Sequence, residues 1–279
     1  LVTGAAGFIG SHLAERLVAL GHTVRGLDCL TDFYSNQLKK HNLIQGQTHG
    51  IDFLSLDLVS DNLTNAVADI DIVFHLAAQP LVRLSYDHPV STIETNVIGT
   101  MNILEALRQA NPICYCVVIT SDKCYDNQEL ERGYHENDLL GGKDPYSASK
   151  GAAELVVKGY YHSFFKTQDL IRIATARAGN VIGGGDWAKD RIIPDCIRAW
   201  EKEEKVKIRH PHSTRPWQHV LEPLSGYLRL GQQLSENNDL NGKSFNFGPP
   251  EQNNHTVLEL IEQIAKQYDE GNKVAYEII

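Results

Sequence analysis

No apolar run in this sequence approaches the ~20 residues that a membrane-spanning helix needs, and no secretory leader is expected. No membrane association is therefore expected. Cysteine is sparse: Cys29, Cys114, Cys116, Cys124 and Cys196 include no C-x-x-C pair. Reduced, packed thiols in a cytoplasmic protein are the reading this favours. The twelve histidines show no His-Glu-x-x-His spacing, so no metal is expected. Basic excess is missing too. The net charge is −9 with both signs interspersed, which gives no support for a nucleic-acid groove. It leaves room for an anionic ligand, because a few local arginines can hold one. Neither an internal repeat nor a low-complexity tract is visible.

The 279 residues are 42% hydrophobic and 22% charged, ordinary values for a soluble globular chain of one large domain or two unequal ones. The chain opens inside an apparent strand, "LVTG", so residues are expected upstream of it. Short β-branched runs then alternate with longer helical ones. "HTVRGLD", "IDFLSLD", "IDIVFHLAA", "ICYCVVIT" and "LIRIATARAG" read as strands. Between them, Ile9, Leu13, Leu17 and Leu20 recur at helical spacing, as do Ile93, Val97, Met101, Leu104 and Leu107 within Pro89–Ala110. The pattern predicts an α/β fold: a Rossmann-type, doubly wound parallel sheet that binds ligands at the carboxyl ends of its strands. After about Asn180, glycine, proline and tryptophan rise and the pieces shorten. We expect residues 1–179 to form the dinucleotide-binding domain. Residues 180–279 are expected to form a smaller substrate lobe interleaved with returning elements of the first.

"GAAGFIG" sets Gly4, Gly7 and Gly10 between a strand and a helix, with Phe8 and Ile9 in the same turn. Glycine there lets backbone approach a pyrophosphate, which rests on the N–H groups of the helix start. Asp28 ends the second strand, 18 residues past Gly10. Its carboxylate suits the hydroxyls of an adenosine ribose and would repel a 2′-phosphate, which favours NAD; nearby Arg25 is the one feature pointing the other way. Asp57, followed by Leu58, either meets the adenine or caps a turn. Leu76, Ala77 and Ala78 are small or apolar, as a strand end beside a dinucleotide requires. "YSASK" then puts Tyr146 and Lys150 on one helix face. A neighbouring ammonium and a cationic nicotinamide would pull the phenol down from about 10, readying it to take a hydroxyl proton.

"TGAAGFIGSHL", "HLAAQ", "TNVIGT", "TSDKCYDN", "DPYSASK" and "RAGNVIGGGDWAKDRIIPD" together resemble the extended short-chain dehydrogenase/reductases that act on nucleotide sugars. From "AAQPLVRLSYDHP" through "RPWQHVLEPLSGYL" the resemblance is closest to the CDP-glucose 4,6-dehydratases; "GAAGFIGSHL" looks more like the UDP-sugar epimerases. Most of the chain is covered, and such proteins carry further residues at the carboxyl end. The resemblance implies oxidation at C4, elimination of water across C5 and C6, and reduction at C6. Ser121 would hold the 4-hydroxyl beside Tyr146, and Asp122 would protonate the leaving hydroxyl. Lys123 would act as the C5 base if a dry pocket kept it neutral; otherwise it would polarise the ketone. Without the resemblance, "SDK" reads as a capping turn after a strand.

The resemblance also places Asn96 of "TNVIGT" at the cofactor, and Asn180 and Arg215 at the substrate diphosphate. Arg191 and Arg209 are further cationic candidates. Arg83 and Ser85 would border the hexose, and Trp217 would enclose the base or pack in the core. His75 and His219 are expected to be structural. Two alternatives stay open: a nucleotide-sugar epimerase of the same fold, or a dehydratase of a UDP- or dTDP-sugar. A non-catalytic dinucleotide sensor would not need the Tyr146–Lys150 pair. Helices 89–110 and 146–165 carry wide apolar faces, and the family pairs such helices between subunits, so a homodimer is expected.

Overall fold

Successive side chains of a strand point to opposite faces of its sheet. An apolar run without alternation therefore needs cover on both sides. Cys114–Ile119 shows this directly. Cys114, Cys116 and Val118 enter one apolar core, while Val117 enters a second on the other face. The structure is a computed structural model that describes residues 1–32, 36–168, 170–250, 255–268 and 276–279.

Among the described residues the central sheet comprises β1 (Val2–Thr3), β2 (Arg25–Asp28), β3 (Asp52–Ser55), β4 (Ile72–His75), β5 (Cys114–Ile119), β6 (Ile171–Ala178) and β7 (Ser244–Phe247). They lie in the order β7-β6-β5-β4-β1-β2-β3, with every pairing parallel. The order reverses between β1 and β4, which opens a crevice at the carboxyl ends of those strands. The long helices are α1 (Phe8–Ala19), α2 (Asn36–Thr48), α3 (Gly99–Ala110), α4 (Pro145–Tyr160), α5 (Ile192–Trp200), α6 (Leu221–Glu236) and α7 (Val257–Tyr268). Residues of α3 and α4 fill one core; residues of α1 and α6 fill the other. A third, small core joins Cys196 and Trp200 of α5, Val206, Ile208 and Ile261 of α7. No helix among the described residues is long and apolar enough to cross a membrane.

One expected face is corrected. Leu104 and Leu107 are buried as expected, but Ile93 is exposed and Val97 and Met101 are only half-buried; Thr92, Asn96, Thr100 and Ile103 turn inward instead. The chain here is α-helical over Pro89–Ile93, π-helical over Glu94–Ile98, and α-helical again in α3. A π turn adds a residue and rotates everything before it relative to everything after, so a uniform 3.6-residue count drifts off the buried face.

Candidate active site

Helix α1 starts at Gly7, whose extended backbone supplies no side-chain cap. The N–H groups of its first turn are left without intrahelical partners. They face a cavity of about 790 Å³ lined in part by Gly4, Gly7, Phe8, Ile9 and Gly10. Gly4 has φ +71°, a conformation costly to residues with a Cβ, and a Cβ there would lie 3.0 Å from the Ala77 backbone. A Cβ on Gly10 would be driven into the Gly4 carbonyl oxygen. The turn is thus held open and tight at once, with the positive end of a helix directed at the cavity.

Asp28 reaches the same cavity from the end of β2. Its carboxylate accepts from the Ala6 N–H at 3.1 Å and the Leu30 N–H at 2.8 Å, so the group is fixed before any ligand arrives. Arg25 points away: it pairs with Asp69 at 2.7 Å and Asp52 at 3.3 Å. Asp57 fits both of its readings. It lines the cavity, and its Oδ1 accepts from the Val59 N–H at 2.8 Å. Leu58, Leu76, Ala77 and Ala78 line the wall as expected. Beneath them the Thr3 hydroxyl accepts from the Leu76 and Ala77 N–H groups, both at 3.1 Å. His75 is enclosed between Thr3 at 2.8 Å and Thr100 at 3.0 Å, and burial pushes it down to about 3. Since Thr100 donates to the Asn96 carbonyl, Nε2 of His75 must carry the proton. It is a neutral structural histidine. His219 is exposed, does not line the cavity, and its Nδ1 accepts from the Leu221 N–H at 3.4 Å.

The second half of the cavity comes from β5 and α4. Asp144 caps α4 by accepting from the Ser147 N–H at 2.9 Å, and Pro145 occupies the first turn, where its missing N–H costs nothing. The Tyr146 N–H, otherwise unpaired, donates to Ser85 Oγ at 3.2 Å. Tyr146 and Lys150, one turn apart, both face the cavity, with Ser121, Asp122 and Lys123 on the adjoining wall. Ser121 also caps the 3-10 turn Asp122–Cys124, accepting from the Lys123 N–H at 3.2 Å while donating to Asp122 Oδ1 at 2.9 Å. The capping reading of "SDK" and the cavity reading hold together.

Burial raises the Asp122 carboxyl above its ordinary range; Lys123, Ser121 and Arg215 offset this in part. The carboxyl therefore keeps its proton to higher pH than a surface aspartate, which suits an acid. Burial likewise lowers Lys150 to about 8, against the opposing pull of Cys124 and Glu154. For two groups the protein alone supplies only part of what was expected. Tyr146 lies above 10, not below, because burial outweighs the help it receives from Ser121 and Arg191. Lys123 is exposed where it lines the cavity, so the protein's own atoms do not give it the dry surroundings a neutral lysine needs.

Arg83, Asn180, Arg191, Arg209 and Arg215 all reach the cavity, and Arg83 also pairs with Asp190 at 3.0 Å. Three predicted residues do not line it. Ser85 is fully buried under the start of α4, donating to the Val82 carbonyl at 2.6 Å. Asn96 lies behind the wall, joining Gln79 to Ser149 at 2.8 Å each. Trp217 lines an adjoining hollow of about 310 Å³ that shares Asn180, Arg191, Arg209 and Arg215, and its buried indole N–H has no partner. The reading missed Lys39 and Asp186, both on the cavity wall. Lys39 belongs to a helix whose sequence is polar nearly throughout, so no pattern singles it out. Asp186 did have a signal, as the one acid directly after "GGG".

The family model described as GDP-mannose 4,6 dehydratase matches residues 1–277. The chain is 46% identical over 271 residues to the CDP-glucose 4,6-dehydratase of Salmonella typhimurium, covering 94% of this chain and 74% of that protein. Among solved structures, MoeE5 in complex with UDP-glucose and NAD aligns over 100% of this chain and 84% of its own, with TM-score 0.81 and 27% identity. The dTDP-glucose 4,6-dehydratase DesIV of Streptomyces venezuelae, 23% identical, shares the fold at TM-score 0.83 over 100% of this chain and 83% of its own. On the full-length family match and the Salmonella relative, this chain belongs to the GDP-mannose 4,6-dehydratase family.

Proposed function

We propose that this protein is an NAD-dependent nucleotide-sugar 4,6-dehydratase, a hydro-lyase, and that its substrate is CDP-glucose. The observation that carries the reading is the meeting of Ser121, Asp122 and Lys123 with Tyr146 and Lys150 around one cavity. Likeness to the Salmonella enzyme supports cytidine as the base. NAD, when bound, would supply the hydride acceptor for C4 and the hydride donor for C6, with C5 regaining a proton from solvent. The open start of α1, with Gly4, Gly7 and Gly10, suits its diphosphate, Asp28 its adenosine ribose and Lys150 its nicotinamide ribose. A cationic ring beside Tyr146 would supply the lowering that the protein alone does not.

Tyr146, with Ser121 beside it, takes the proton of the 4-hydroxyl as C4 is oxidised to a ketone. The C5 hydrogen is then acidic and leaves as a proton to a base. Asp122 gives its proton to the departing C6 hydroxyl, which leaves as water. Lys123 is the candidate base: with its exposed side chain covered by the bound sugar, its neutral amine would take the C5 proton. Asn180 and Arg215 bind the diphosphate, assisted by Arg191 and Arg209; Arg83 borders the hexose. Residues 1–179 thus supply cofactor and chemistry, and residues 180–279 supply most of the nucleotide-sugar contacts. Helices 89–110 and 146–165 would pair in a homodimer. The free cysteines, four of them buried, suit the reducing cytoplasm.

The test is mass spectrometry of the protein with NAD and, separately, CDP-glucose, dTDP-glucose, UDP-glucose and UDP-N-acetylglucosamine in deuterated water. Loss of one water from CDP-glucose alone, with solvent deuterium in the product, is the expected result. An isomer of unchanged mass from any of the four would make it an epimerase.

A further inference from the structure

Behind the catalytic wall lies an ion pair that the proposed chemistry does not use. Glu154 and Arg177 each have side chains 3% exposed and meet at 2.8 Å. Glu154 sits one helical turn beyond Lys150 on α4. Its carboxylate accepts from Thr120 Oγ1 at 2.5 Å, Thr175 Oγ1 at 2.9 Å, Arg177 Nε at 3.0 Å and Ser244 Oγ at 3.3 Å. These donors follow from strand alternation. Thr120 continues the Cys114, Cys116, Val118 face just past β5. Thr175 and Arg177 continue the Ile171, Ile173 face of β6, and Ser244 opens β7. All lie on the side of the sheet that α4 covers.

The partners at the far end of Arg177 give the pair its meaning. Nη1 donates to the Tyr125 hydroxyl at 2.8 Å and to the Glu136 carbonyl at 2.9 Å, with the guanidinium 5.0 Å from the Tyr125 ring centroid. Tyr125 donates in turn to Asn246 Oδ1 at 2.6 Å. Thr120 and Tyr125 bracket the turn Ser121–Cys124. One buried pair therefore ties both ends of that turn to α4. Gly151 lets the two approach, since a Cβ there would lie 3.2 Å from the Cys124 carbonyl oxygen. Tyr146 has separate anchors on α4, through Ser85 and through the contact of Ser149 with Asn96.

The geometry points to Glu154, Arg177 and Tyr125 as positioning residues for the elimination step, holding Asp122 and Lys123 in register with a sugar already bound by Tyr146 and Lys150. This inference rests on the dehydratase reading. A displacement of about 1 Å in such a register costs on the order of 10²-fold in rate.

The test compares wild type, Glu154→Gln and Tyr125→Phe in single turnovers with NAD and CDP-glucose, quenched and read by mass spectrometry. The wild type losing water establishes the underlying reading on its own; wild type without water loss defeats that reading and, with it, this inference. The variants are then expected to accumulate a nucleotide sugar two hydrogens lighter than substrate, oxidised but not dehydrated, at ten times the wild-type fraction or more. Tyr125→Phe removes only one hydroxyl and leaves Glu154 and its partners in place, so it tests position if Glu154→Gln fails to fold. Variants that lose oxidation and dehydration in equal proportion, or that match wild type, would overturn the assignment.

Discussion

His75 shows how far burial alone can reset a side chain. Its imidazole lies near 3 in the folded protein against about 6.5 in the unfolded chain. Between those values the unfolded chain binds a proton that the native one refuses, so the stability His75 allows is complete above about 6.5 and is lost as pH falls towards 3. At pH 5 the loss is about 2 kcal/mol. His75→Gln should therefore show a smaller drop in Tm between pH 7 and pH 5 than wild type; an unchanged drop would place the protonation elsewhere. Asp122 shows the same effect with the shift reversed, because a carboxyl whose charge the fold disfavours moves upward. Asp122→Asn is expected to lower dehydration by ~10²–10⁴-fold, the usual contribution of a positioned acid. Its Tm should hold or rise, which separates lost chemistry from lost fold in one melting curve. The identities of Tyr146, Lys150 and Asp122 were readable from the sequence, but the sign of the Tyr146 shift was not. Motif spacing places a lysine one turn away without telling how much solvent is excluded.

Glycine separates the demands of two helices. In α1, Gly10 packs against the Gly4 carbonyl, and backbone on both sides cannot give way. Gly10→Ala should destabilise by at least ~1–3 kcal/mol, read as a fall in Tm together with weaker NAD binding by calorimetry. In α4, Gly159 is exposed and a Cβ there meets nothing within 4 Å. Gly159→Ala should stabilise by ~0.5–1 kcal/mol. Equal effects from the two would contradict the packing described for the α1 turn. Helix 89–110 shows the limit of pattern at this scale. Its existence follows from the apolar spacing, but the π turn at Glu94–Ile98 has no sequence marker, and it decides which residues look inward.

Across the whole molecule, several large apolar side chains stay outside. Tyr86, Val90 and Leu155 are 63%, 68% and 58% exposed, and Phe164 joins them near the end of helix 146–165. Val90 lies in helix 89–110, and Leu155 and Phe164 in helix 146–165, the two helices that the proposed homodimer would cover. Light scattering should give twice the chain mass for wild type at micromolar concentration and the single-chain mass for Leu155→Asp. A monomeric wild type would end the dimer proposal. Long-range closure also shapes the candidate site, because Arg191 and Arg215 lie far along the chain from Tyr146 and Asp122 yet lower their pKa values through space.

Strand and helix alternation, the glycine turn, Asp28 and the Tyr146–Lys150 spacing are local properties, dictated by backbone periodicity and side-chain size, and the sequence alone determined them. Tertiary structure decided what depends on residues far apart in the chain meeting. It turned Ser85 and Asn96 into supports, moved Trp217 to an adjoining hollow and left Lys123 exposed. It also joined Glu154 to Arg177 behind the Ser121–Cys124 turn. The physical reason is that burial and hydrogen-bond partnership are set by which strands lie side by side, and no local pattern carries that information.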